Sequence, residues 1–590
     1  MVPYLLRYKR RYIIGFVLLI TASFLVMVPP IVVQKAIDAI DTGASRSKLA
    51  EYAAMMLGLA LIEAAIRFVG RTLISGTSRY VEYDMRNDIA AHLMTLDQTY
   101  YTNAHTGDLM ARCTNDMQRV RDLCGPGAME ITRAFTMMLA GFLFMLTVDV
   151  KLALIAIAYF PVIVVVIIKF RSAMEQRYRE VNDQFGQLSN HVQENISGIR
   201  SVKAYAQEES QTASFAAQNR ELMRRMMVWA LYVGAFWPLM TLAAGGSIAL
   251  VLWFGGTDVV GGRITIGEFT RFMLYLAILT NPLQALGWTA SMVQQGLASM
   301  RRVNEIFALE PGIADPEAPA QTIAARGEVE FRNVSFGYNG QPVLKNVNLT
   351  IPAGRTVAFV GATGAGKTTL ANLLVRLYDP WEGQVLIDGV DVRDMAMADV
   401  REVVGFVPQE TFLFSESLRD NVSMARDNPE PGEVEYAIST SKLINDVEQL
   451  TFGLDTVLGE RGVTLSGGQK QRAALARALL KGSPVVVLDD ALSHVDTHTE
   501  EEILTGLRDW VRDRTTILIA HRTSTLQAAD YIVVLDDGGI AETGTHEELL
   551  ALGGVYARLH RRQLLEEQIE DEGSPSTSSG RAAHGEGGEA

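Results

Sequence analysis

Three short stretches carry residues whose types and spacing can do chemistry. VAFVGATGAGKTTL, Val357–Leu370, runs from an apolar strand into a glycine-rich loop and a helix start. It fits the spacing G-x-x-x-x-G-K-[ST] with Gly361, Gly366, Lys367 and Thr368, and Gly364 and Thr369 complete the stretch. Small residues let main-chain N–H groups close around phosphate, and the helix N-terminus adds positive potential. Lys367 is expected to reach the β and γ phosphates of ATP and Thr368 to ligate Mg²⁺. In LSGGQKQR, Leu465–Arg472, Ser466, Gly467 and Gly468 open a second helix, another anion site. One site does not need two phosphate loops in one chain, whereas two copies arranged head to tail would use both. In VVVLDDALSHVD, Val485–Asp496, an apolar strand ends in two carboxylates, Asp489 and Asp490.

These stretches must be positioned by a second half that differs from the first. The chain has 590 residues, 48% of them hydrophobic, and a net charge of −14, which argues against general nucleic-acid binding. Apolar residues concentrate in Ile13–Val33, Leu49–Ile74, Ile131–Val148, Leu152–Phe170, Val228–Phe254 and Phe269–Leu286, each about long enough to cross a bilayer. The first is too long for a signal peptide. Arg7, Lys9, Arg10 and Arg11 precede it, and further arginines fill the long loops after the second and fourth spans. By the positive-inside rule, both termini and both long loops face the cytosol. Those loops read as span helices that continue into the cytosol and reverse in a short turn. Cys113 and Cys124 fall there, too few for a disulfide framework, and read as packing.

The resulting organisation is an α-helical membrane domain over residues 1–310, a linker over 311–326 and an α/β P-loop ATPase domain over 327–562. Residues 563–590, rich in Gly, Ser, Glu and Ala, are expected to be a disordered tail.

The motifs together and in order resemble the ABC transporter family, specifically exporter half-transporters of the type IV fold, over roughly residues 1–560. The resemblance implies that Tyr338 in VSFGYNG stacks on adenine. It implies that Gln409 in VGFVPQE contacts Mg²⁺ and the attacking water, and that Asp489 organises Mg²⁺. It gives Glu460 a coupling role and places Asp496 in a loop that communicates across a dimer. It makes His521 in ILIAHR a γ-phosphate contact, and Leu465, Ser466, Gly467, Gly468 and Gln469 a signature that binds the opposing subunit's ATP. The segments Tyr100–Met117 and Gly198–Glu209 resemble the family's coupling regions, with turns expected near Tyr101–Asp116 and Tyr205.

One departure decides the mechanism. The family's hydrolytic base is a glutamate directly after the Walker B aspartate, and Asp490 occupies that place. Aspartate is one methylene shorter, and a displacement of ~1 Å can cost ~10²-fold in rate. The expectation is a site that binds ATP and Mg²⁺ but hydrolyses slowly. An intact signature beside a weakened base resembles the degenerate subunit of heterodimeric bacterial multidrug exporters. The implied partner is a second half-transporter with a Walker B glutamate. A homodimer in which Asp490 works slowly, or an engineered change at that position, stand as alternatives. His494, the second residue of Ser493-His494-Val495-Asp496, is unusual for the family, and the sequence offers no physical account of it.

The cargo is less legible. Glu63 and Arg67 are spaced to pair on one helix face within a span. Trp229, Phe236, Trp237, Trp253 and Trp288 are belt or cavity candidates, and Met137, Met138, Met145, Met240, Met273 and Met292 are adaptable. No acidic or basic cluster points to an ion. The reading is outward movement of hydrophobic or amphipathic compounds, drugs or lipids, with a peptide or siderophore transporter as the alternative. The expected setting is the bacterial inner membrane.

Overall fold

The two halves of the sequence fold by different periodicities. The computed structural model describes residues 1–573 except 321–324, 460–461, 463–464, 496 and 521. Side chains at 167, 237, 244, 281, 283–284, 286–288, 497, 523–524 and 566–573 lie outside the described ones. The chain divides into two units. One joins Met1–Thr95 to Ala104–Glu310; the other joins Leu96–Asn103 to the residues from Pro311 onward.

The first unit is helical. Its main helices are Lys9–Leu25, Pro29–Asp41, Arg46–Thr95, Ala128–Leu146, Val150–Ser197, Glu208–Val260 and Ile266–Phe307. Among the described residues five helical stretches are long and apolar enough to cross a membrane. The sixth expected crossing, Phe269–Leu286, falls in helix Ile266–Phe307, and several of its side chains lie outside the described ones. Arg46–Thr95 has 50 residues and Glu208–Val260 has 53. At 1.5 Å per residue, helices of about 75 Å far exceed the ~30 Å hydrocarbon layer, so each continues well beyond its span. Small residues let helices touch: a Cβ on Gly15 would lie 2.6 Å from Ile74, and one on Gly70 would lie 3.2 Å from the Gly15 carbonyl. Nearer the first reversal, the buried Asp116 carboxylate takes hydrogen bonds from Ser299 (2.8 Å) and from the Arg302 guanidinium.

The first reversal between span helices occupies Leu96–His105 and contains helix Gln98–Asn103, starting earlier than the expected Tyr101–Asp116. Asp97 explains the shift. Its Oδ1 accepts the Thr99 and Tyr100 N–H groups at 2.9 and 3.3 Å, and its Oδ2 accepts the Gly312 N–H at 2.7 Å. The second reversal falls where expected, with helix Ile199–Ala204 followed by the exposed Tyr205 and Ala206 at φ 51°.

In the second unit, β-branched runs build two sheets. β1 (Val329–Tyr338), β2 (Gln341–Ile351), β4 (Glu382–Ile387) and β5 (Val390–Asp391) form an antiparallel sheet in the order β2-β1-β4-β5. β3 (Thr356–Gly361), β6 (Val404–Val407), β7 (Val485–Asp489), β8 (Thr515–Ile519), β9 (Tyr531–Asp536) and β10 (Gly539–Gly544) form the other, in the order β10-β9-β3-β8-β7-β6. All its pairs are parallel except β9–β10. Every residue of β7 and β8 is buried, which accounts for their unbroken apolar or β-branched character. The ends of β3 and β7 carry the glycine loop and the two aspartates. Helix Val555–Gly573 corrects the expected tail: its LLEEQIEDE run favours helix, so 563–573 is helical, and 574–590 lie outside the described residues.

Candidate nucleotide site and signature helix

The glycine loop leaves β3 at Gly361 and enters helix Lys367–Leu374. Gly364 and Gly366 adopt φ of 86° and 99°, a region L-residues rarely enter, and a Cβ on Gly366 would lie 2.5 Å from Leu344. Lys367 is buried, and its ammonium donates to the Gly361 and Ala362 carbonyls at 2.8 and 3.1 Å. Burial pulls its pKa below the usual lysine value, opposed by Asp490 and Asp489. The charge therefore sits beside the loop, where an anionic phosphate would relieve its desolvation. Thr369 is buried, and its hydroxyl faces the Tyr338 hydroxyl at 3.4 Å.

Asp489 closes β7 at 1% exposure, and among the described residues no hydrogen bond of ordinary geometry reaches either carboxylate oxygen. Burial pushes its pKa up to about 6, only partly offset by the nearby Thr368 hydroxyl and Lys367. A buried carboxylate without partners, next to a threonine hydroxyl, is a donor set that suits a hard divalent cation. Asp490 follows in the left-handed region at φ 45°, with its N–H donated to Ile519 at 2.8 Å. That turn takes the chain off the strand and aims the carboxylate toward Gln409, whose Nε2 donates to Oδ2 at 3.1 Å.

Tyr338, at the end of β1, is held edge-on by Phe336 and Tyr378, with centroids 5.2 and 5.3 Å away. Tyr378 in turn shares a 3.2 Å hydrogen bond with Thr102 of helix Gln98–Asn103. A cavity of about 340 Å³ lies among these aromatics, Trp381 and Asp97.

The signature opens helix Gly467–Lys481 through a reciprocal cap. The Ser466 hydroxyl accepts the Gln469 N–H at 3.3 Å, and Gln469 Oε1 accepts the Ser466 N–H at 2.8 Å. Gln469 Nε2 donates to Asp446, which also pairs with Arg472 at 2.6 Å. Leu465 is buried in the core, so its side chain anchors the loop. Gly467 and Gly468 lie against His494. A Cβ on Gly468 would fall 2.7 Å from the His494 carbonyl, and one on Gly467 would fall 3.4 Å from its Cβ.

Asp490, Gln409, Lys367 and Asp489 are thus brought together with the glycine loop, whereas His521, Glu460 and Asp496 lie outside the described residues. Sequence reasoning missed three features. Gln471 links the signature helix to the segment after β7, and Thr102 reaches Tyr378. Arg522 pairs with the buried Glu500 and donates to the Val495 carbonyl at 3.0 Å. Their only sequence signal is a polar residue where a helix should bury an apolar one. In the membrane half, Glu63 and Arg67 do pair, at 3.2 Å, with Arg67 exposed. Met145 and Met240 are packed, Trp229 lies tilted against Tyr178, and Trp253 is exposed. The side chains of Trp237 and Trp288 are outside the described ones. Both cysteines are free thiols.

Comparison with known proteins adds independent findings. The profile of the ABC transporter transmembrane region matches residues 12–283, and that of the ABC transporter ATPase matches 344–493. The chain is 35% identical to a probable multidrug resistance ABC transporter ATP-binding/permease protein of Bacillus subtilis, over 95% of this chain and 96% of that one. It is 34% identical to an ATP-dependent lipid A-core flippase of Syntrophus aciditrophicus, over 95% and 94%. It is 34% identical to the multidrug resistance-like protein MdlA of Escherichia coli, over 96% and 97%. Among solved structures, a bacterial Atm1-family ABC exporter with ATP bound superposes with a TM-score of 0.76 at 29% identity, covering 94% of this chain and 98% of that one.

Proposed function

Because the chain belongs to the ABC transporter family, as a type IV exporter half-transporter with an ATPase domain, we propose that it is the weakly hydrolytic half of a heterodimeric multidrug or lipid exporter. The observation that carries this reading is the Asp490 carboxylate. It is one methylene short of the family's glutamate, and its Oδ2 already takes the Gln409 amide at 3.1 Å. A base must come within roughly 2.6–3.2 Å of the water it polarises, and this oxygen is engaged by a side chain instead. The intact signature then serves the partner's ATP, and the partner supplies the glutamate that hydrolyses it. ATP and Mg²⁺ fit the residues present: Lys367 and the glycine loop for phosphate, Thr368, Gln409 and Asp489 for the cation, Tyr338 for adenine.

The cargo we assign is a hydrophobic or amphipathic compound moved outward, in line with the multidrug and lipid A-core names of the relatives. The setting is a bacterial inner membrane with the ATPase domain and both termini in the cytosol, from the charge distribution. The experiment is the native mass and composition of the complex purified on a tag attached to this chain. A second, different half-transporter whose Walker B strand ends in Asp-Glu supports the reading. Two copies of this chain overturn it and make Asp490 the base at both sites.

A further inference from the structure

His494 is the residue the family resemblance leaves unexplained, and the structure surrounds it with specific contacts. Its main-chain N–H donates to Gln471 Oε1 at 2.8 Å. This fixes the orientation of the Gln471 amide, whose nitrogen then faces three acceptors. They are the Asp490 carbonyl at 3.1 Å, Ser493 Oγ at 2.8 Å and His494 Nδ1 at 3.1 Å. The Ser493 hydroxyl also lies 3.2 Å from Nδ1. The Gln471 amide nitrogen can only donate, so this contact assigns Nδ1 the acceptor role. Gln471 is 2% exposed, so its amide has no solvent to turn to and this network is its complete environment. On the other side His494 covers Gly467, and its carbonyl crowds Gly468.

We propose that His494 is a positioning residue which, through Gln471, fuses the signature glycines to the Asp490 turn, so that the two ATP sites of the dimer move as one body. The imidazole adds a side-chain acceptor shared by the Gln471 amide and the Ser493 hydroxyl. Asp490 belongs to this chain's own ATP site, and Gly467 and Gly468 to the site shared with the partner. The shortest hydrogen-bonded path between them is Asp490–Gln471–His494, with Arg522 bracing the same segment through the Ser493 and Val495 carbonyls. Removing the imidazole leaves the cluster's three donors, two on the Gln471 amide and one on Ser493, with two acceptors, and frees the segment to slide over the signature. The inference rests on the reading that the signature grips ATP across the dimer.

The test is ATP turnover by the full-length complex in lipid nanodiscs, with ATP affinity at this chain's own loop measured in parallel. His494→Ala is expected to lower kcat about five- to tenfold, the worth of a part-buried hydrogen bond, with unchanged ATP affinity. His494→Asn, whose Oδ1 can take the place of Nδ1, restores most of the loss. Gln471→Ala gives a similar loss, and the double variant is no slower than the slower single one, as for two residues acting through one contact. Undiminished turnover in His494→Ala, or losses that multiply in the double variant, overturn the proposal. Ser466→Arg separates the two levels. If it stops turnover while His494→Ala does not slow it, only the positioning role falls; if it leaves turnover intact, the signature reading falls as well.

Discussion

The two phosphate-binding parts of this chain are built in opposite ways. At the signature, every polar group named has a partner: Ser466 and Gln469 cap each other, Gln469 and Arg472 share Asp446, and Gln471 fills its amide. At the glycine loop, Lys367 is buried beside its own carbonyls, Asp489 has neither oxygen bonded, and Asp490 sits in a left-handed turn. The first part is rigid and complete before any ligand arrives. The second holds unpaired charge and backbone strain that ATP and a divalent cation would relieve. On the proposed function, the difference divides the work: gripping is preformed, and hydrolysis is left underequipped.

The contrast can be broken or sharpened by substitution. The largest effect is expected at Gly468→Ala, because the new Cβ would sit 2.7 Å from the His494 carbonyl. Displacing the signature by ~1 Å should lower turnover by about 10²-fold, measured as phosphate release, while this chain's own ATP binding persists. A similar loss of ATP binding instead would dissolve the distinction between the two parts.

Next comes Asp490→Glu, which restores the missing methylene. It is expected to raise hydrolysis at this chain's own site about tenfold by bringing the carboxylate to the water, read at saturating ATP in a complex whose partner glutamate is replaced by glutamine. Tyr338→Ala, which deletes the ring held between Phe336 and Tyr378, should weaken ATP binding by about fivefold with little change in kcat, consistent with loss of one aromatic stacking contact.

The smallest effect sharpens the electrostatic side. The Asp489 carboxyl titrates near 6 when folded and nothing lifts it when the chain unfolds, so the folded state binds more protons between those values. Stability of the nucleotide-free protein therefore falls as pH rises from about 4 through about 6. Asp489→Asn should remove that slope and raise the unfolding temperature at pH 7, while abolishing the further stabilisation that Mg²⁺ and ATP give the unsubstituted protein.

What the sequence revealed and what it hid divide along contact distance. The glycine loop, the signature and the β7 aspartates were legible because each is a contiguous run whose strand, turn and helix signals agree. The long helices were legible because the apolar spans run on into polar helical sequence with no stop signal between them. The Asp97 cap moved the first reversal because its partner Gly312 is 215 residues away. Gln471 with His494, Glu500 with Arg522, and Thr102 with Tyr378 join residues 23, 22 and 276 apart, and no local pattern marks either member. The tail was misread at its start because a charged, Gly-poor run such as LLEEQIEDE satisfies both a disorder composition and helix propensity.

The central claim, that this chain's own site is not the one that turns over, is tested most directly by steady-state ATP hydrolysis of the purified complex carrying Asp490→Ala. The account predicts that at least half of the turnover remains, because the partner's glutamate performs it. A loss of about 10²-fold or more, the size expected when a working general base is removed, would contradict the account and make Asp490 that base.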